Sequence, residues 1–176
     1  MASRSVRTIS KENMDSLQIK IRGNISRMLD FLNKTLGTPI DPNYEMDKVY
    51  VYENYAIFTH AVEEYGKLLY LQSIIPDSIG NYEVEYRRKF RSHETKFDLA
   101  LAKLPDSIKT VYKAQFDSSQ YDSTNYSTDD TQPNWDNRLN VLNVDIDDNG
   151  KPTDITFHVD IDELRQSVFD FRNFPY

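Results

Sequence analysis

The chain has 176 residues, 21 Lys and Arg against 28 Asp and Glu, a formal net charge of -7, 39% hydrophobic residues and no cysteine. That length suits one core with a small addition, and the lack of cysteine excludes disulfide, thiolate and Cys-ligated zinc chemistry. No apolar run approaches the roughly 20 residues of a membrane-spanning helix, and Met1 to Lys20 is polar rather than an apolar signal region, so a cytoplasmic protein without membrane contact is expected.

From Asn13, the apolar residues Met14, Leu17, Ile21, Ile25, Met28, Leu29 and Leu32 recur every three or four positions. This spacing predicts an amphipathic helix to about Leu36, closed by Gly37 and Pro39. A second helix starts after Asp41-Pro42 and covers Tyr55 to Ile75, with Pro76 ending it; Gly66 inside it is either tolerated or marks close helix packing. A third helical region runs from Tyr82 through Leu104 with an interruption near Ser92. A fourth begins at Pro105-Asp106-Ser107, whose Asp or Ser caps the first amides, and continues to about Phe116.

Asp117 to Asn134 is almost entirely polar and reads as a linker. Beyond it Leu139 to Ile146 and Ile155 to Ile161 flank Asp147-Asp148-Asn149-Gly150, the pattern of a β-hairpin with an Asn-Gly turn. A last helix, Asp162 to Phe174, carries Leu164, Val168 and Phe171 on one side. The expected fold is mostly α. An up-and-down bundle of four to five helices fills residues 1–116, and residues 135–176 form an acidic appendage of hairpin plus helix after the linker at 117–134.

Charge divides the chain in the same place. Residues 1–116 hold 17 Lys and Arg and 15 Asp and Glu, whereas residues 117–176 hold 4 and 13. Within the first part, Glu85 to Lys113 places eight cations against four acids. Such a stretch is a candidate phosphate site, with a solvated helix face as the plain alternative. The acidic tail also invites comparison with a nucleic-acid mimic that shields this basic face.

Several motifs fail on inspection. Asp145 to Gly150 opens like a calcium loop, but position 12 is Thr156 instead of a bidentate Glu. His93-Glu94 starts a zincin motif whose second histidine would fall on Phe97, and His60, His93 and His158 are too scattered for a three-histidine zinc site. No Gly-rich phosphate loop or nucleophile elbow is present. Neither a metal nor a cofactor is expected.

The remaining constellation is Arg87, Arg88, Lys89, Arg91 and His93. Arginine pairs bidentately with phosphate, and imidazole exchanges protons near neutral pH, a combination suited to metal-free RNA cleavage. On an unbroken helix, five residues turn about 500°, which sets Arg88 and His93 about 140° apart. Sharing a phosphate therefore needs a break near Ser92, a long reach by Arg88 or a second chain. A surface histidine beside solvated arginines is the alternative.

With these residues in view, the sequence resembles the HEPN family of small helical proteins. The resemblance rests on the helix Phe58 to Ile75, the motif from Arg88 to His93, and the continuation from His93 through Leu104-Pro105. It covers about residues 11–116. It implies a helical bundle that forms a homodimer with two Arg/His pairs in one cleft, acting as a metal-independent endoribonuclease in toxin or defence systems, with RNA as substrate and an antitoxin or operon partner protein. Carried over, His93 assists attack by the ribose 2′-hydroxyl or protonates the leaving oxygen, and Arg88 stabilises charge on the phosphate. Arg87 is the alternative arginine, Glu64 supports the pair, and Lys89, Arg91 and Lys96 are nucleic-acid contacts. Thr95 stands where toxins silenced by a nucleotidyltransferase often carry tyrosine, and Lys89 replaces a small polar residue frequent after the motif arginine. The rival readings are a catalytically silent RNA- or nucleotide-binding module and a purely structural interaction protein.

Overall fold

In the computed structural model, which describes residues 6–38, 45–113 and 159–176, the two long periodic stretches form helices α1 (Lys11–Thr35) and α2 (Glu45–Gln72). Ser10 starts α1, its Oγ accepting from the Asn13 amide at 3.3 Å, so one otherwise orphaned donor is satisfied. Met14, Ile21, Ile25, Leu29 and Leu32 then lie buried along one stripe against α2. The shorter helices are α3 (His93–Leu101), α4 (Asp106–Lys113) and α5 (Ile161–Asn173). Among the described residues no helix is long and apolar enough to cross a membrane.

The third helical region departs from expectation. Tyr82–Glu85 is a strand, β2, paired antiparallel with β1 (Val6–Ile9), with Arg7 opposite Val84 and Ile9 opposite Tyr82. In Tyr82-Glu83-Val84-Glu85 only Val84 is buried, an alternation with period two rather than 3.6. The Glu85 amide also donates to the Tyr70 hydroxyl at 2.8 Å, tying β2 to α2. A π-helical turn, Tyr86–Phe90, follows, and the chain breaks at Arg91-Ser92 before α3 begins.

The terminal helix is also repositioned. It was expected in an appendage, yet Leu164, Val168 and Phe171 are fully or almost fully buried in the same core as α1 and α2. Phe171 meets Phe58 and Tyr65 edge-on at centroid distances of 6.3 and 5.8 Å. Arg165 donates to the carbonyls of Leu36 (2.8 Å) and Thr38 (3.2 Å) past the C-terminal end of α1, and buried Ser167 donates to the Ser107 carbonyl at 3.0 Å. The reason is energetic: a 13-residue helix is marginal alone and gains stability by burying its apolar stripe. The expected linker, the hairpin with its Asn149-Gly150 turn and His158 lie outside the described residues.

Core burial has a consequence at alkaline pH. Tyr55 on α2 is inaccessible to solvent, and burial pushes its phenol far above the ordinary value; Tyr65 and Tyr70 shift the same way for the same first cause. The unfolded chain releases these protons near pH 10 while the native state keeps them, so the stabilisation is full below about pH 10 and is lost as pH rises further. Tyr55→Phe is expected to make the alkaline loss shallower by one proton, about 1.4 kcal/mol per pH unit. Urea midpoints collected across that pH range check it, and an unchanged slope contradicts the burial of this phenol.

Candidate functional site

Gly66 fixes where α3 crosses α2. A Cβ added at this position would lie 2.8 Å from the Lys96 Cα and closer still to its carbonyl, so only glycine admits so near an approach. One helical turn earlier on α2 stands Glu63, which therefore faces the first turn of α3. Ser92 caps that turn, its Oγ accepting from the Thr95 amide at 3.2 Å, and places His93 and Lys96 three residues apart on the helix.

These three side chains form one cluster. Glu63 is 1% exposed at its side chain; its Oε2 lies 2.8 Å from His93 Nδ1 and 3.2 Å from Lys96 Nζ. With the carboxylate as acceptor, Nδ1 carries the imidazole proton and Nε2 the lone pair of the neutral ring. Lys96 is also buried, which lowers its pKa by disfavouring the ammonium, while the Glu63 carboxylate pulls the other way. His93 differs from both in being 36% exposed. The arrangement is a buried carboxylate that orients a surface imidazole, with a buried ammonium neutralising the carboxylate.

Two expected roles change. Glu64, one residue on, is turned toward Lys67 and pairs with it; the carboxylate on His93 is Glu63. Lys96 is not a surface contact for nucleic acid, because its ammonium is committed to Glu63 inside the protein. Lys89 pairs with Glu85 at 3.0 Å on the surface. Arg87, Arg88 and Arg91 are exposed, and among the described residues their guanidinium groups make no hydrogen bond or ion pair. The π-helical turn is closed by the Arg91 amide donating to the Tyr86 carbonyl at 3.0 Å. Because the chain breaks at Arg91-Ser92, Arg88 and His93 are not on one continuous helix, and the angular separation drawn from an unbroken helix does not apply.

The aromatic rings of the same turn are ordered against cations. Tyr86 and Phe90 stack at 5.6 Å with an interplanar angle of 20°. The Arg7 guanidinium carbon stands 3.6 Å over Tyr86, and Lys67 Nζ lies 5.4 Å over Phe90. Hollows elsewhere, along Lys11, Asp15 and Ile19 on α1 and beside Asn33 and Arg165, include none of the Glu63, His93 and Lys96 cluster. Among the described residues no three His, Asp or Glu side chains are grouped to hold a metal ion.

Glu63 was missed in the sequence, although a signal for it exists. A glycine within a helix interior marks a close crossing, and the acid one turn away on that face is the one positioned to meet the crossing helix. No protein-family model, curated protein or solved structure matches this chain.

Proposed function

We propose that the chain is a metal-independent endoribonuclease of the HEPN type, acting as a cytoplasmic homodimer in a toxin or defence role alongside an operon partner protein. The observation that carries the reading is the Glu63 carboxylate on His93 Nδ1 while part of the imidazole reaches the surface. Such a histidine is held in one tautomer with its other nitrogen suited to proton transfer. Nε2 takes the proton of a ribose 2′-hydroxyl, the oxygen attacks the adjacent phosphorus, and the P–O5′ bond breaks as the 5′-oxygen takes a proton from the imidazolium so formed or from water. The products are a 2′,3′-cyclic phosphate and a 5′-hydroxyl. Arg88, with Arg87 as its neighbour, balances the charge that builds on the phosphoryl oxygens. In this reading Glu63 is a positioning residue, since it acts through His93.

The experiment is RNA cleavage in EDTA with mapped product ends. Wild type is expected to leave cyclic phosphates, and His93→Ala to lose about a hundredfold or more of the rate. Arg88→Ala is expected to lose cleavage as well. Absence of cleavage by folded, dimeric wild type defeats the ribonuclease reading. A second reading, a silent RNA-binding module, is favoured by the exposed guanidinium groups of Arg87, Arg88 and Arg91. It calls for RNA binding that survives His93→Ala and weakens with Arg88→Ala.

A further inference from the structure

Arg7 lies about eighty residues before the basic turn in the sequence, yet strand pairing delivers it there. In the β1–β2 ribbon Arg7 is directly opposite Val84, so it shares a face with Val84 and, diagonally, with Tyr86 two residues on. The acids Glu83 and Glu85 alternate to the other face, where Glu85 holds Lys89. Arg7 is exposed, lies 3.6 Å over the Tyr86 ring, and makes no hydrogen bond or ion pair among the described residues. Tyr86 in turn stacks on Phe90, so the guanidinium and the two rings are joined through Tyr86. The exposed Arg87 and Arg88 belong to the same turn as these rings, and the exposed Arg91 closes it.

A patch built only to attract phosphate needs charge and not stacked planes. Here one exposed planar cation is already held over an aromatic ring, 3.6 Å from its centroid. Unpaired nucleobases stack on such guanidinium planes, whereas bases inside a duplex are occupied by their neighbours. We propose that the Arg7–Tyr86–Phe90 stack is a nucleobase platform, and that the ligand of this surface is single-stranded RNA whose flanking phosphates pair with Arg87, Arg88 and Arg91. This inference rests on the reading of the basic turn as an RNA contact and adds to it the strandedness of the substrate and a specificity-determining residue, Arg7.

The test compares fluorescence anisotropy for three labelled probes of equal length: a 2′-O-methyl oligoadenylate, which lacks the attacking hydroxyl, a strand with abasic linkers in place of bases, and an RNA duplex. Wild type is expected to prefer the oligoadenylate over the abasic strand by about fivefold or more. Arg7→Lys keeps the charge and loses the plane, so it should erase that preference while binding the abasic strand as wild type does; Tyr86→Leu should act in the same direction. Equal affinity of wild type for the based and abasic strands, stronger binding of the duplex, or a preference that persists in Arg7→Lys overturns the platform. Failure to bind any probe overturns it too, and binding to phosphatidylserine vesicles without base preference assigns the patch to a membrane surface instead. Base preference without cleavage in EDTA removes only the ribonuclease reading, whereas cleavage without base preference removes only the platform.

Discussion

Glu63→Ala is expected to lower the unfolding free energy by about 3–5 kcal/mol, the usual loss when one partner of a buried ion pair is deleted. The substitution leaves the Lys96 ammonium inside the protein beside a cavity, with its nearest carboxylate gone. Glu63→Gln keeps the volume and an acceptor oxygen but not the charge, and its loss should be smaller. Replacing the pair together, as Glu63→Leu with Lys96→Met, should recover much of the deficit, because the cost lies in the uncompensated charge and not in the missing contact.

The pH dependence separates this account from simple cavity formation. Burial lowers the Lys96 pKa and Glu63 raises it, so without Glu63 the native-state pKa falls further below 10.5. Between that lowered value and the unfolded one, the unfolded chain binds more protons, and stability rises with pH. The window is wider in Glu63→Ala than in wild type, so the deficit of the variant should shrink as pH rises above neutrality. Urea unfolding at a series of pH values measures it. A deficit below about 1 kcal/mol, or one that stays constant with pH, would mean that Lys96 does not depend on Glu63 as the ion pair implies. The same variant should slow cleavage at a pH where it remains folded, since His93 then lacks its orienting acceptor.

What could be read from sequence depended on how local the signal was. The stripe of α1 is periodic over many turns, so its burial was visible without any tertiary information, whereas α2 is buried on most sides from Val51 to Leu71, its polar Asn54, Thr59, Glu63 and Glu64 included. The interruption expected near Ser92 is local as well: the Ser92 hydroxyl accepts from the Thr95 amide three positions on and starts α3 there. The β1–β2 pair was not visible. Each strand has four residues, and the partners Val6 and Glu85 are brought together only by the folding of both long helices between them. Glu63 and Glu64 posed a different problem: adjacent acids on a helix point about 100° apart, and only the crossing of α3 decides which one meets His93. Likewise the stripe Leu164, Val168 and Phe171 announced a helix but not its destination, since an apolar face specifies that it must be covered and not by what.

Gly66→Ala is expected to destabilise the protein by about 3 kcal/mol or more, although alanine is the better helix former by about 1 kcal/mol. The added methyl meets the Lys96 carbonyl and Cα, which are backbone atoms and cannot rotate away. Relief therefore requires α3 to move off α2 as a unit, opening the contact between Glu63 on one helix and His93 and Lys96 on the other. Stability and cleavage should fall together. Gly23→Ala supplies the control, because no atom lies within 4 Å of the position where its Cβ would stand. There the helix preference acts alone, and a gain of about 0.5–1 kcal/mol is expected. Thermal or urea midpoints of the two variants measure the contrast; equal effects at both positions would contradict the close crossing. Shortening the Lys96 side chain should not rescue Gly66→Ala, since the obstructing atoms belong to the backbone and remain whatever residue occupies position 96.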